Sequence, residues 1–476
     1  MRKFDLAVIG GGPGGYVAAI RAAQAGFSVA LIEMNLFGGT CLNWGCIPTK
    51  SMLAGAEVLQ TVRQADKFAV TTGEVSFDYP KMVQRTGKLV ASIRKSLESL
   101  IASNQITVLR GFGKFVSPRE IKVTGKDNEV FYAEKTIIAT GSEPRNIQSF
   151  SFDGKLIHSS SSILQLTTLP KKLVIVGGGV IGCEFASLYH DLGVEVVILE
   201  LLPEIIMQEG KKISHALTTS FRKRGIDVRT GVQVEGIEKK EEGVFVKLLG
   251  EDGLSADMAL VAVGRRLNTD NIDLEKAGLS ALDDGTIAVN DQMETDVLGI
   301  YAIGDVTGKF LLAHVASHQG IVAADNALGK KASMHYQAVP SVTFTRPEIA
   351  TVGMTLQVAL EQGHAATEAM FPFQALGKSQ ASMDTEGFAL IVTESSTGQI
   401  LGAQVMGHGA SILIAEMTLA INNELTIDCI IETIHAHPSI AEAWLEAALI
   451  AGGTPLHMPP RPVKKERNKG KAYVQA

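Results

Sequence analysis

Short, predominantly apolar segments recur along the first two thirds of the chain. They cover residues 5–9, 28–32, 136–140, 173–176, 196–199 and 300–303. Strands that are covered by helices on both faces have this composition, so each segment predicts a buried parallel strand. Between them, apolar residues recur at helical spacing, most clearly over residues 81–104. The pattern predicts an α/β fold.

A glycine-rich turn, GGGPGG at residues 10–15, follows the first strand. Gly10 permits the tight turn, Gly12 lets the backbone approach a pyrophosphate, and Gly15 lets helix and strand pack closely. Such turns also join strands to helices without any ligand. Here a second strand follows and ends at Glu33, whose carboxylate is placed to accept the ribose hydroxyls. This context predicts a dinucleotide site.

The same pattern occurs a second time over residues 173–200. Gly177, Gly179 and Gly182 repeat the three glycines, and Glu200 ends the following strand at the same separation as in the first copy. Equal spacing indicates an internal duplication, and hence two dinucleotide sites in one chain. The carboxylate of Glu200 favours NAD over NADP, because it suits a ribose 2'-hydroxyl and would repel a 2'-phosphate.

Cys41 and Cys46 lie in one segment just after the first dinucleotide motif. A disulfide closing so short a loop would add only about 2 kcal/mol of stability. A zinc site would need a second ligand pair, and Cys183 and Cys429 are far apart in sequence. We therefore predict a redox-active disulfide and no metal. A flavin can take electrons from sulfur and pass a hydride to NAD, so FAD is the expected occupant of the first site.

Lys50 follows the two cysteines on the same segment. Its ammonium would stabilise negative charge on a reduced flavin ring. Glu184, on the helix that Gly182 opens, is a candidate partner for this ammonium. The alternatives are an ordinary surface lysine and a glutamate that caps or lines its own helix.

From Pro340 onward, strands such as 341–344 and 389–393 alternate with helices, which predicts an α+β domain. Its last helical region contains His435, His437 and Glu442. Histidines two positions apart do not share a helical face, which disfavours a two-histidine metal site. A couple of His437 with Glu442 would take a proton from an incoming thiol near neutral pH, because the thiolate attacks a disulfide. A structural histidine is the alternative.

The bulk composition narrows the function classes. The chain has 476 residues, 46% of them hydrophobic, and a net charge of -6, so about three domains are expected and nucleic acid is not an expected partner. No charge-free apolar run of about 18 residues occurs, so we expect no membrane span. The four cysteines and a first strand that starts at once favour a cytoplasmic protein, in a bacterial cytosol or, as a processed chain, in a mitochondrial matrix.

Two motifs, GGPGGY at 11–16 and GGTCLNWGCIPTK at 38–50, carry a family resemblance. The chain resembles the pyridine nucleotide-disulfide oxidoreductases from about residue 4 to residue 458. The resemblance implies two duplicated Rossmann-like domains and a C-terminal α+β dimerisation domain in a homodimer. Residues 1–142 and 271–340 would form the FAD domain, 143–270 the NAD domain and 341–458 the dimerisation domain. The basic segment 459–476 departs from the family, and we expect a disordered tail there.

The resemblance also implies individual roles. Lys50 would pair with Glu184 near the flavin. The substrate thiol would attack Cys41, Cys46 would contact the flavin, and His437 would serve the cysteines of the other subunit. The further contacts implied are Gly113, Thr140, Gly141, Asp305 and Ala313 for FAD, and Val234, Gly264 and Arg265 for NAD.

The branch of the family that these motifs match oxidises dihydrolipoyl dithiols, free or protein-bound, with NAD. The resemblance therefore implies this reaction, with a lipoyl-bearing acyltransferase or carrier protein as partner. An NADPH-dependent reductase of glutathione or another small disulfide is one alternative. A flavin-binding assembly subunit that docks to an acyltransferase core is another, which the intact cysteine pair and His437–Glu442 couple disfavour.

Overall fold

A computed structural model describes residues 1–459, so all but the first residue of the segment 459–476 lies outside the described range. The described chain forms two compact units. The first comprises Met1–Tyr336 together with Thr343–Arg346, and the second comprises Gln337–Val342 and residues 347–459. The division of the first unit between residues 1–142 with 271–340 and residues 143–270 stays a prediction.

The first unit alternates strands with helices. Its strands are β1 (Lys3–Ile9), β2 (Val29–Glu33), β3 (Thr107–Ser117), β4 (Glu120–Gly125), β5 (Glu129–Ile138), β6 (Ser142–Pro144), β7 (Ile157–Ser159), β8 (Lys172–Val176), β9 (Glu195–Glu200), β10 (Asp227–Thr230), β11 (Val234–Lys240), β12 (Gly243–Leu248), β13 (Glu251–Ala256), β14 (Met258–Val261), β15 (Arg265–Leu267) and β16 (Ile300–Ala302). Its helices are α1 (Pro13–Gln24), α2 (Gly39–Trp44), α3 (Cys46–Arg63), α4 (Tyr79–Ser103), α5 (Val180–Asp191), α6 (Lys211–Arg224) and α7 (Ala313–Ala327). The long helix predicted over residues 81–104 is confirmed as α4.

The first sheet has a parallel centre with the strand order β3-β2-β1-β5-β16. Strand β4 pairs in antiparallel fashion with both β3 and β5. The central strand is buried on both faces, since Ile9 packs with Phe115 and Phe131 of the antiparallel part while the alternate residues Leu6 and Val8 are equally inaccessible. Burial on both faces explains the continuous apolar composition of these strands.

The second sheet repeats this arrangement in the order β10-β9-β8-β14-β7, with parallel pairing throughout. A separate antiparallel sheet, β11-β12-β13, is the counterpart of the antiparallel part of the first. The fifth strands differ in origin, because β16 comes from residues after the second sheet and β7 from residues before it. The internal duplication predicted from the two glycine motifs is confirmed, with the Rossmann-like topology that the family resemblance implies.

The second unit is built on the sheet β17-β18-β21-β20-β19. Its strands are β17 (Ser341–Thr343), β18 (Ile349–Gly353), β19 (Ala366–Pro372), β20 (Phe388–Glu394) and β21 (Ile400–Met406), and its helices are α8 (Leu356–Glu361), α9 (Gly377–Ser382), α10 (Ala410–Asn422), α11 (Ile427–Glu432) and α12 (Glu442–Ala451). Trp444 is fully buried with Phe371 and Phe373, and its indole N–H donates to the carbonyl of Leu413 at 3.1 Å. The predicted α+β domain is confirmed. Within residues 1–459, no helix has the length and apolar character needed to cross a membrane.

The close approach at Gly15 gives a test of the first glycine motif. A Cβ atom at Gly15 would lie 1.9 Å from the carbonyl oxygen of Gly10, whereas one at Gly87 in α4 would meet no atom within 4 Å. We expect Gly15→Ala to destabilise the fold by about 1–3 kcal/mol or more, because backbone must move. Gly87→Ala should be neutral or stabilising by up to about 1 kcal/mol. Thermal unfolding followed by circular dichroism compares the two variants, and an equal midpoint would contradict the close contact.

Candidate active site

The first glycine turn leaves the start of α1 open to an anion. Gly10 adopts a φ of 109°, and a Cβ there would lie 2.2 Å from the carbonyl oxygen of Ala139. Gly12 precedes the helix and, having no side chain, makes no side-chain hydrogen bond to its first turn. The leading N–H groups of α1 are therefore available for a phosphate.

Glu33 ends β2 beside this turn. Its carboxylate accepts from the N–H of Gly11 at 2.8 Å and from the N–H of Asn35 at 2.6 Å. Burial raises the pKa of Glu33, although these N–H groups act in the opposite direction. The Glu33 carboxylate is thus held in place by backbone N–H donors at the carboxyl end of β2.

The second turn repeats this geometry. Gly177 has a φ of 107°, Gly179 precedes α5, and a Cβ at Gly182 would lie 2.0 Å from the carbonyl oxygen of Gly177. Glu200 accepts from the N–H groups of Gly178 at 2.5 Å and Leu202 at 2.7 Å. Each acidic residue thus accepts from the residue that follows the first glycine of its motif and from the residue two positions beyond itself.

A cavity of about 310 Å³ opens at the carboxyl ends of the strands in the first copy. Four residues predicted to contact FAD line it: Gly10, Glu33, Gly113 and Thr140. The sequence did not single out other residues of its lining, which include Leu267, Asn268 and Asn271. Two of the lining residues are hydrogen bonded to each other: the Thr140 hydroxyl donates to the Asn268 carbonyl at 2.6 Å, and the Asn268 side-chain amide donates to the Thr140 carbonyl at 3.0 Å.

Cys41 and Cys46 are brought together as two thiols. Cys41 lies within α2 and Cys46 is the first residue of α3, with Gly45 between the two helices. A hydrogen bond from Cys41 lowers the pKa of Cys46 to about 7, against the effect of burial and with help from the Lys50 ammonium. The same hydrogen bond, together with burial, raises the pKa of Cys41. The pair is therefore chemically asymmetric.

Lys50, one turn further along α3, is held by Glu184 of α5. Its ammonium donates to both carboxylate oxygens, at 2.9 Å and 2.8 Å. The Glu184 side chain is only 7% exposed and also accepts from the backbone N–H of Phe344 at 2.9 Å. The pair implied by the family resemblance is thus present. The centre of the Phe344 ring also lies 4.4 Å from the Lys50 ammonium.

Ser142 connects several predicted site residues, and the sequence gave no sign of it. Its hydroxyl is hydrogen bonded to Asp305, and it accepts from Arg265 Nε at 2.6 Å. Its carbonyl accepts from Arg265 Nη2 at 2.7 Å and from the hydroxyl of Thr40, beside Cys41, at 3.4 Å. Arg265 was assigned to NAD, yet its side chain lies 3.9 Å from Asp305, a residue assigned to FAD. Burial lowers the pKa of Arg265.

The remaining assigned residues lie at the ends of elements. Ala313 is the first residue of α7, and Val234 is the first residue of β11. Gly141 and Gly264 both have positive φ angles, of 69° and 107°. Ends of strands and helices are the usual positions for nucleotide contacts in such folds.

In the second unit, His437 and Glu442 form a hydrogen-bonded couple. His437 Nδ1 lies 2.8 Å from the Glu442 carboxylate, and the peptide bond between His437 and Pro438 is cis. The other carboxylate oxygen accepts from the Ser439 N–H at 2.9 Å. Burial acts to raise the pKa of Glu442, but the Ser439 and His437 contacts together lower it. The His437 side chain is 78% exposed, so its ring is accessible.

His435 does not join this couple. Its Nε2 lies 2.9 Å from the Glu416 carboxylate and its Nδ1 lies 2.9 Å from the carbonyl of Thr433. Throughout the part of the chain that the structure describes, no group of three or more His, Cys, Asp or Glu side chains is arranged to hold a metal ion. The Cys183 side chain is fully buried.

Comparison with known proteins agrees with this geometry. Residues 4–320 match the pyridine nucleotide-disulphide oxidoreductase family, and residues 339–448 match the dimerisation domain of that family. The chain is 50% identical over 460 residues to the dihydrolipoyl dehydrogenase of Chlamydia pneumoniae, which covers 97% of this chain and 99% of that protein. It is 41% identical over 453 residues to the dihydrolipoyl dehydrogenase of Thermus scotoductus, with 94% and 97% covered.

Solved structures give the same result. LpdA from Mycobacterium tuberculosis superposes with a TM-score of 0.88 at 29% identity, over 94% of this chain and 99% of that one. The HOCl-induced flavoprotein disulfide reductase RclA from Escherichia coli superposes with a TM-score of 0.84 at 28% identity, over 93% and 99%. The matched dimerisation domain supports a homodimer. The chain therefore belongs to the pyridine nucleotide-disulphide oxidoreductases, and it is an oxidoreductase of the kind that uses FAD and NAD.

Proposed function

We propose that this protein oxidises dihydrolipoyl dithiols, free or attached to a carrier protein, to the cyclic disulfide and reduces NAD. The observation that carries the proposal is the asymmetric pair of Cys41 and Cys46, beside the Lys50–Glu184 pair. Two relatives with 50% and 41% identity over nearly the whole chain are named dihydrolipoyl dehydrogenase. Their names support dihydrolipoyl dithiols as the substrate class, among the thiols and disulfides that a cysteine pair could act on.

The first glycine motif, residues 10–15, and its surroundings suit FAD. The open N-terminus of α1 would hold the pyrophosphate, Glu33 the ribose, and the cavity lined by Gly113 and Thr140 the adenosine end. Gly141, Asp305 and Ala313 are the proposed further contacts. Bound FAD supplies the two-electron carrier between the cysteine sulfurs and NAD. The second glycine motif, together with Glu200, Val234, Gly264 and Arg265, is the proposed NAD site.

The protein residues account for the sulfur chemistry, starting from the oxidised pair. His437, oriented by Glu442, takes the proton from one substrate thiol, and the resulting thiolate attacks the sulfur of Cys41. The Cys41–Cys46 bond breaks and Cys46 leaves as a thiolate, which its lowered pKa favours. The sulfur of the second substrate thiol then attacks the substrate sulfur bonded to Cys41. That bond breaks, the substrate disulfide closes, and Cys41, whose pKa is raised, leaves with the proton of the second thiol. The substrate has lost two electrons, and the cysteine pair has gained them.

His437 is proposed to act on the cysteines of the other subunit, so that a homodimer contains two shared active sites. A lipoyl-bearing acyltransferase or carrier protein is the proposed partner. The proposed location is the cytoplasm, which the bacterial origin of the relatives supports. NAD is proposed over NADP on the chemistry of Glu200, since a carboxylate repels a 2'-phosphate.

The asymmetry of the thiols predicts selective alkylation. In reduced holoenzyme, reaction of Cys46 with iodoacetamide should rise with pH, with a midpoint at about 7, because the thiolate is the nucleophile. Cys41, whose pKa is raised, should react little over the same range. Peptide mass spectrometry after short pulses from pH 5 to pH 9 measures both rates. Faster labelling of Cys41 than of Cys46 would contradict the predicted difference between the pKa values of the two thiols.

The reaction itself is tested by steady-state assay of the purified protein with dihydrolipoamide and NAD. Cys46→Ser should reduce turnover by at least about a thousandfold, because no disulfide can form, and should retain bound FAD. Cys429→Ser is the matched control, since this exposed cysteine lies in the other unit, and it should keep full turnover. Loss of FAD from Cys46→Ser would count against the assignment.

Two parallel assays separate the alternatives. Turnover with NADPH and glutathione disulfide, but not with dihydrolipoamide and NAD, would replace the proposal by a small-disulfide reductase. Absence of turnover with either pair, in protein that retains FAD, would instead favour an assembly role.

Shared active sites predict complementation between two inactive variants. In a mixed dimer of Cys46→Ser with His437→Gln, one site would combine both substitutions and the other would contain neither. Random exchange of equal amounts should therefore restore about a quarter of wild-type turnover, because half of the dimers are mixed and each has one intact site. Each variant alone is the control. No recovery after verified subunit exchange would place the histidine and the cysteines of one site in the same subunit.

A further inference from the structure

One face of α5 holds the short segment Thr343–Arg346. Glu184, Ser187 and Asp191 are spaced at helical intervals on this face and are all buried. Glu184 accepts from the N–H of Phe344 at 2.9 Å, and the Ser187 hydroxyl accepts from the N–H of Arg346 at 2.9 Å. Asp191 accepts from the Arg346 guanidinium at 3.1 Å. Each buried polar group of this face thus has a partner in the segment.

Arg224 of α6 strengthens the same attachment. Its guanidinium donates to Asp191 at 2.6 Å and also to the carbonyl of Arg346. Thr343–Arg346 belongs to the first unit although the residues on both sides belong to the second. The hydrogen bonds from α5 and α6 explain why these four residues follow the first unit.

Within the segment, Phe344 lies against the ammonium of Lys50. The centre of its ring is 4.4 Å from Lys50 Nζ, within the range of a cation–π interaction. Its own N–H bonds to the carboxylate that holds Lys50. Lysine is a compact charge on a flexible stem, so an ammonium needs contacts on several sides to keep one position. Glu184 and Phe344 supply two of them.

We propose that Phe344 is a positioning residue, whose ring holds the ammonium of Lys50 on Glu184 in the place from which it acts on Cys46. This inference deepens the proposed function and rests on it for the role of Lys50. Phe344 acts through the lysine, which its ring contacts, and not on the cysteines themselves. The attachment of Thr343–Arg346 to α5 and α6 is what keeps the ring in position.

The electrostatic surroundings of Cys46 define what the test can detect. The titratable groups acting on this thiol are Cys41 of α2, Lys50 of α3, Glu184 of α5 and Arg265 of β15. Lys50 stabilises the thiolate and Glu184 opposes it. An ammonium free to move away would therefore leave the Cys46 thiolate less stable, and the thiol would ionise at higher pH.

Phe344→Leu removes the ring and keeps the backbone N–H, whereas Phe344→Tyr keeps both. In reduced holoenzyme, Phe344→Leu should shift the midpoint of Cys46 alkylation to higher pH and slow alkylation at pH 7 by about two- to fivefold. Phe344→Tyr should match the wild type. A wild-type profile for Phe344→Leu would overturn the inference, as would an equal shift in both variants, since the ring would then not be responsible.

A second variant and a comparison with turnover distinguish the positioning of Lys50 from a folding defect and from a failure of the proposed function. If Phe344→Leu does not fold, Phe344→Met supplies a flexible apolar side chain without a ring, and the same shift is expected. The alkylation assay uses no lipoyl substrate. If the wild-type enzyme fails to oxidise dihydrolipoamide while Phe344→Leu shifts the alkylation profile, only the proposed function is refuted. If the wild-type enzyme turns over normally and Phe344→Leu leaves the alkylation profile unshifted, only the role of Phe344 is refuted.

Discussion

The ion pair of Lys50 with Glu184 joins the two nucleotide folds at the cysteine site. Lys50 lies on α3, one turn after Cys46, and Glu184 lies on α5, which begins at the second glycine turn. A pair this buried contributes little net stability, because removing two charges from water costs about as much as their attraction returns. Its value is therefore positional: it fixes a cation beside the cysteines and ties that cation to the second fold.

The pair also explains why the surrounding polar groups are arranged as they are. A buried carboxylate needs hydrogen bonds on its remaining lone pairs, and the Phe344 N–H supplies one. Arg265 and Ser142 play a comparable part beside Thr40, the neighbour of Cys41: Ser142 bonds to Arg265 and Asp305, and its carbonyl accepts from the Thr40 hydroxyl. The cysteine segment thus contacts α5 through the Lys50–Glu184 pair and β6 through the Thr40 hydroxyl.

Local sequence patterns predicted those parts of the molecule that depend on local physics. Glycine spacing located both turns, since a Cβ at Gly15 or Gly182 would collide with backbone whatever surrounds it. Apolar composition located the strands because they are buried on both faces. Ser142, Asn268 and Phe344 were not predicted, since each acts through partners more than a hundred residues away in the chain. Such partners have no local pattern.

The order of the two cysteines in the reaction shows the limit of sequence and the use of geometry. Spacing alone makes Cys41 and Cys46 equivalent, and the family resemblance assigned their roles. One hydrogen bond between them, with Lys50 nearby, lowers the pKa of Cys46 and raises that of Cys41. In thiol–disulfide exchange the sulfur with the lower pKa leaves faster, so attack on Cys41 with departure of Cys46 is the favoured direction. The asymmetry of the contact therefore favours the same order of events as the resemblance.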